Sequence, residues 1–215
     1  MSYHLFLFDF DGTLVDTVGD IAFYANQVLR EFGEHECSVE QVKRSIGLGV
    51  HELLKGVSPS FGQDPERLDR AVTLFKKYYR QKPVRETKPF PDVLEVLSGP
   101  LRNLPKAIIT NKPQEITLEI LNVLNMRHFF DRVIGMHAGY APKPDPESTL
   151  ATMKTFHSEA ASTVFIGDSR IDAQTCQNAG IDFVWVDYGY GYAEGFLPRF
   201  KFSAAKEWET LSRID

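Results

Sequence analysis

Near the start of the chain, His4-Leu5-Phe6-Leu7-Phe8 is apolar after its first residue and runs directly into Asp9-Phe10-Asp11-Gly12-Thr13. A half-exposed strand alternates between apolar and polar residues. An unbroken apolar run has no wet face and belongs inside a sheet covered on both sides. Such sheets are built from parallel strands joined by helices. The acidic, glycine-containing stretch then falls at the carboxyl end of the strand, where open parallel sheets bind their ligands. This one segment commits the chain to an α/β architecture and places two carboxylates at its working edge.

From Asp16 the period changes. Ile21, Tyr24, Ala25, Val28, Leu29 and Phe32 recur at helical spacing, and Gly33 closes the segment. Ser38-Val39-Glu40-Gln41 has the form of a capping box, and Asp64-Pro65 that of an N-cap followed by proline. Leu68, Val72, Phe75 and Tyr79 mark one face of a helix that must stop before Pro83. Residues 16–84 therefore read as helical throughout, with Gly47-Leu48-Gly49 as a loop facing the working edge. Beyond them strands and helices alternate. Lys106–Thr110, Val133-Ile134, Thr163–Ile166 and Phe183–Val186 are expected strands. Between them lie expected helices from Pro113, from Asp145-Pro146 and over Ile171–Ala179. The expected fold is a doubly wound, Rossmann-like parallel-sheet core, residues 1–15 and 85–215, with an inserted α-helical cap domain, residues 16–84.

With 43% hydrophobic and 25% charged residues, the chain can build a packed core. A net charge of −5 gives no electrostatic reason to seek nucleic acid or an anionic membrane. No apolar run approaches the roughly 18 residues of a membrane span. Met1-Ser2-Tyr3-His4 lacks the basic start of a signal peptide, and Cys37 and Cys176 have no metal-ligand spacing. A cytoplasmic protein with reduced thiols is expected. None of the six histidines sits in a ligand pair, and Tyr188, Tyr190, Tyr192 and Phe196 read as packing.

The polar residues after each expected strand are Asp9, Asp11, Gly12 and Thr13, then Thr110-Asn111, then Gly167-Asp168-Ser169 with Asp172 four residues on; a loop adds Lys143. Each fragment alone is a common turn or helix cap. Together they converge four carboxylates, a lysine, a hydroxyl and an amide on one rim. Four clustered carboxylates repel one another without a cation, and hard oxygen donors suit Mg²⁺.

Four motifs carry a resemblance. Asp9-Phe10-Asp11-Gly12-Thr13-Leu14-Val15-Asp16-Thr17, Thr110-Asn111-Lys112-Pro113, Lys143-Pro144-Asp145-Pro146 and Gly167-Asp168-Ser169-Arg170-Ile171-Asp172 resemble, in order, those of haloacid dehalogenase superfamily phosphatases. Asn178-Ala179-Gly180 and Tyr188-Gly189-Tyr190 resemble the stretch after the fourth motif in phosphoglycolate-phosphatase-like members. Gln174-Thr175-Cys176 departs from the small alanines usual there, which touches packing more than chemistry. The resemblance implies a Mg²⁺-dependent hydrolase acting on a small phosphorylated metabolite, 2-phosphoglycolate first among them. It implies an aspartyl-phosphate on Asp9, with Asp11 as general acid and then base. Mg²⁺ would be held by Asp9, the Asp11 backbone carbonyl and Asp168, with Asp172 orienting Asp168 or the metal's waters. Gly12, Thr110, Asn111 and Lys143 would bind the transferring phosphoryl group. The expected assembly is a monomer or homodimer.

Family alternatives are a broad sugar-phosphate or nucleotide phosphatase, a pyrophosphatase or a phosphomutase. A phosphonatase would need a reactive cap lysine, for which Lys55 is the nearest candidate. An alternative of another class is a phospho-Asp signalling or phosphate-binding protein. Receivers of that kind lack a helical insert and do not follow their phosphorylated Asp with Asp-Gly-Thr.

Overall fold

The computed structural model describes residues 3–191 and 195–212. The chain starts with β1 (Leu5–Phe8) and a two-residue strand β2 (Val15–Asp16). It continues through helices α1 (Val18–Glu31), α2 (Val39–Ser45), α3 (Val50–Val57) and α4 (Pro65–Gln81), then the short β3 (Lys88–Pro89). The alternating part comprises α5 (Val93–Ser98), β4 (Lys106–Pro113), α6 (Gln114–Val123), β5 (Arg132–Met136) and α7 (Glu147–Thr155). It ends with β6 (Thr163–Gly167), α8 (Arg170–Ala179), β7 (Asp182–Val186) and β8 (Phe200–Phe202).

Six strands form one sheet in the order β5-β4-β1-β6-β7-β8, and every neighbouring pair is parallel. Phe6 lies opposite Lys106 on one side and Val164 on the other, so β1 is the central strand anticipated from its apolar run. Its side chains alternate between two cores. Leu5 and Leu7 pack with Ala107, Ile109, Phe165 and Phe183 on one face. Phe6 and Phe8 pack with Ile108, Val164, Ile166 and Val184 on the other. There the Phe8 ring lies 5.2 Å from that of Trp208, which belongs to a closing 3₁₀ turn. All four side chains are fully buried.

The caps of the helical segment match the sequence. Both limbs of the Ser38–Gln41 capping box are present, and the Asp64 carboxylate accepts the Arg67 N–H at 3.0 Å with Pro65 in the first turn. Helix α7 instead begins at Glu147, and Asp145 accepts that residue's N–H at 2.9 Å. Three short strands and one strand extension were not anticipated. β4 continues through Asn111 and Lys112 to Pro113, with an irregular register after Ile109. β8 adds an edge strand. β2 and β3 pair antiparallel, Val15 opposite Pro89 and Asp16 opposite Lys88, so the residues flanking the helical segment sit side by side.

A buried carboxylate fastens this junction. Asp20, in the first turn of α1, accepts the backbone N–H groups of Arg85, Glu86 and Thr87 at 2.9–3.1 Å and the Thr87 hydroxyl at 2.6 Å. Cys37 and Cys176 are buried and free. Among the described residues, no helix is long and apolar enough to cross a membrane.

Candidate active site

The site forms where β1, β4 and β6 end. The Asp9 N–H still bonds Ile166 O at 2.9 Å, which extends β1 by one residue and fixes the first carboxylate. Gly12 then turns the chain with φ +87°, and a Cβ there would collide with the Asp168 carboxylate. Only glycine lets the two loops approach so closely. Beyond β6, Ser169 rather than Asp168 caps α8, in a capping box with Asp172. The Asp172 carboxylate accepts the Ser169 N–H at 3.0 Å and its hydroxyl at 2.6 Å, which orients the group.

Lys143 lies between two of these acids. Its Nζ is 2.8 Å from Asp9 Oδ1 and 2.6 Å from Asp172 Oδ1, and all three side chains are buried. Asp168 completes the acidic cluster. Carboxylate oxygens of Asp9, Asp168 and Asp172 fall within 4.8 Å of one another. The Tyr190 and Gly191 N–H groups hold Asp168 Oδ2 at 2.7 and 3.0 Å, and the Thr13 hydroxyl reaches Oδ1 at 3.4 Å.

This crowding shows in the protonation equilibria. Burial first, then repulsion from Asp172 and Asp9, pushes Asp168 up to about 8 against the two backbone N–H bonds. Burial likewise pushes Asp9 up to about 6; Lys143 opposes this, while Asp172 and Asp11 add to it. For Lys143, burial alone lowers the ammonium's pKa, but the pull of Asp172 and Asp9 wins and raises it. One ammonium thus faces three buried acids. The excess negative charge and the all-oxygen donor set fit a hard divalent cation such as Mg²⁺.

Asp11 faces away from that cluster. Its Oδ1 accepts the Thr17 hydroxyl at 2.6 Å, and Lys112 Nζ lies 3.1 and 3.2 Å from its two oxygens. Thr110 lies within β4, just past the regular register that ends at Ile109, and its hydroxyl accepts the Lys112 N–H at 3.2 Å. Asn111 departs from expectation. Its amide group donates to Gly47 O and Lys143 O at 2.9 and 2.8 Å, and its oxygen accepts the Lys143 N–H at 2.8 Å. The side chain is thereby tied to the loop that presents Lys143 and to the helical segment, rather than turned toward a phosphoryl group.

A cavity of about 50 Å³ opens beside Asp9 and Asp11. Its walls include Ile21, Ile46, Val50, Leu53, Phe75 and Ile116, all but the last from the helical segment. Gly47 and Gly49 line its mouth, so the Gly47-Leu48-Gly49 loop does face the site. Tyr190, read from sequence as packing, also organises this edge. Its hydroxyl accepts the Thr17 and Val18 N–H groups at 2.6 and 3.1 Å and donates to Asp16 at 2.6 Å. Tyr192 lies outside the described residues. Lys55 pairs with Glu52 at 2.8 Å on an exposed surface, away from this chemistry. The sequence signals for Lys112 and Tyr190 were present, since both lie inside the motif segments, but no chemistry had been attached to them.

Known proteins resemble this chain in sequence and fold. The family model for haloacid dehalogenase-like hydrolases matches residues 6–186. The phosphoglycolate phosphatase of Aquifex aeolicus is 32% identical over 200 residues, covering 92% of this chain and 91% of that protein. That of Pseudomonas savastanoi pv. phaseolicola is 33% identical over 193 residues, 87% of this chain and 71% of that protein. A Haemophilus somnus structure described as a predicted phosphoglycolate phosphatase superposes with a TM-score of 0.87 at 26% identity, covering 95% of each chain.

Proposed function

The chain belongs to the haloacid dehalogenase-like hydrolases, and from that premise we propose that it hydrolyses a small phosphomonoester, 2-phosphoglycolate foremost, through an aspartyl-phosphate. The observation that carries this reading is the pairing of Asp9 with Lys143 at 2.8 Å, with Asp11 two residues further along the same loop. Asp9 Oδ attacks phosphorus, and the bond from phosphorus to the leaving oxygen breaks. Asp11 gives that oxygen its proton. Asp11 then takes a proton from water as the water oxygen attacks phosphorus, the Asp9–phosphorus bond breaks, and inorganic phosphate leaves.

Lys143 offsets the repulsion between Asp9 and the incoming dianion and stabilises charge on the equatorial oxygens. Thr110 completes the phosphoryl cradle, Gly12 shapes its wall while its own N–H bonds Val15 O at 3.0 Å, and Asn111 positions Lys143. Mg²⁺ would be held by Asp9, the Asp11 carbonyl and Asp168, oriented by Asp172, and would supply further charge neutralisation. Residues 16–84 act as the cap that excludes water from the reacting groups.

Phosphate release from 2-phosphoglycolate, sugar phosphates, nucleotides and pyrophosphate, with Mg²⁺ or chelator, tests this reading. The highest kcat/KM is expected for 2-phosphoglycolate, with activity lost in chelator and restored by Mg²⁺. Chelator-resistant hydrolysis would mean that the carboxylate cluster has another purpose.

The protonation equilibria give an independent check. Asp9 and Asp168, raised to about 6 and about 8, keep protons in the metal-free folded protein that the unfolded chain loses near pH ~4. Lys143, shifted up, stays charged throughout. Metal-free stability therefore falls as pH rises from about 4 to about 8. A cation that replaces those protons should raise Tm more at pH 8 than at pH 5. A Mg²⁺-induced shift of equal size at both pH values would contradict this.

A further inference from the structure

Lys112 has no part in the mechanism above, yet it is a buried cation on the wall of the cavity beside Asp11. Among the described residues lining that cavity it is the only cation. Its Nζ contacts are of a particular kind. The two Asp11 oxygens lie at 3.1 and 3.2 Å, the Tyr79 hydroxyl at 3.3 Å, and the Tyr79 ring centre at 4.7 Å. Charge-assisted bonds between ammonium and carboxylate usually close to about 2.7–2.9 Å. Lys143 does so, at 2.6 and 2.8 Å, whereas Lys112 does not. Nor does Asp11 depend on Lys112 for its placement, since the Thr17 hydroxyl holds Oδ1 at 2.6 Å. The ammonium is loosely satisfied by three long contacts and is free to take a better acceptor.

Position identifies that acceptor, and this step rests on the phosphatase reading. A proton donor must touch the leaving oxygen, so the leaving group occupies the space next to Asp11. Beyond Thr110, Asn111 and Tyr79 the remaining walls are mostly aliphatic and aromatic and carry no other charge, and the volume of about 50 Å³ admits only a few heavy atoms. A leaving group with its own negative charge would add a third anion beside Asp9 and Asp11. The geometry points to Lys112 as the residue that selects leaving groups carrying an anion of their own, a short carboxylate or a second phosphate. Lys112 pairs with that anion while Thr17 keeps Asp11 in place, and Tyr79 holds the ammonium from behind.

The test compares three substrates with Mg²⁺ present: 2-phosphoglycolate, pyrophosphate and 2-hydroxyethyl phosphate, the last a near-isostere of the first without its charge. The wild-type protein should favour at least one anionic substrate over the neutral one by about 10- to 100-fold in kcat/KM, the worth of one charge-assisted hydrogen bond. Preference for 2-phosphoglycolate assigns the carboxylate as the ligand of Lys112, and preference for pyrophosphate assigns the phosphate. In Lys112→Met this ratio should collapse toward one, with the loss appearing as a raised KM for the charged substrates. A wild-type ratio near one overturns the inference, and that measurement does not depend on the variant folding. Equal losses on all three substrates in Lys112→Met also overturn it, because Lys112 would then serve only as the counter-ion of Asp11. Release of phosphate from none of them by the wild-type protein would remove the phosphatase reading itself, and this inference with it.

Discussion

Asp9→Asn should lower phosphate release by about 10⁴-fold or more while leaving the fold intact. Asparagine has nearly the shape of aspartate, but its amide is no nucleophile, and removal of an attacking group costs several orders of magnitude where one has been measured. The structure explains why folding should tolerate the change. Asp9 is buried against Asp172 and Asp11, whose repulsion and the burial itself outweigh the attraction of Lys143. An amide relieves the repulsion and still offers Lys143 an oxygen. Phosphate release and the circular-dichroism melting curve are the two measurements. Activity above about 1% of wild type with an unchanged melting curve would place the nucleophile elsewhere.

Lys143→Met should damage both stability and catalysis. The wild-type ammonium meets Asp172 at 2.6 Å and Asp9 at 2.8 Å in a pocket closed to solvent. Methionine fills similar volume without charge and leaves buried carboxylates uncompensated. Breaking a buried ion pair from one side costs about 3–5 kcal/mol. The loss of charge stabilisation at phosphorus should lower kcat by about 10²–10³-fold or more. Urea unfolding in chelator gives the first number and phosphate release the second. Mg²⁺ should recover part of the stability, because it supplies positive charge to the same acids. A stability loss below about 1 kcal/mol in chelator would show that the cluster is protonated or solvated enough not to need Lys143.

The parallel core and its acids were legible because long-range physics leaves local traces there. An apolar run with no polar face could only be central, and Asp9, Asp11, Asp168 and Asp172 lie where such strands end or where the next helix is capped. Lys112 escaped because β4 was expected to stop at Thr110. As a loop residue it had no defined direction. In the irregular end of β4 beyond Ile109 it lines the same cavity as Thr110. Asn111 was hard to read for a different reason. Motif position suggested a phosphoryl contact, whereas its amide is occupied by Gly47 and Lys143, partners 64 and 32 residues away in sequence. β2, β3 and β8 span two or three residues each, too short to show a period, and the first two pair across the whole helical segment.

The antiparallel pairing of Val15–Asp16 with Lys88–Pro89 makes the helical segment a detour that rejoins the chain where it departed. Loop-closure entropy grows only slowly with length, so closing the sheet across the detour depends little on how long the detour is. The segment can be treated as an exchangeable cassette. A chimera that transplants a foreign helical block between Asp16 and Lys88, retaining a carboxylate where Asp20 grips residues 85–87, keeps Asp9, Lys143 and Asp168 in their native setting. It discards Ile21, Ile46, Val50, Leu53, Phe75 and Tyr79, which wall the leaving-group cavity, and it keeps Asp11 and Lys112. The graft would then decide the size and greasiness of what is released, and, because it also replaces Thr17 and Tyr79, it would keep the preference in charge only where it supplies equivalents that hold Asp11 and Lys112.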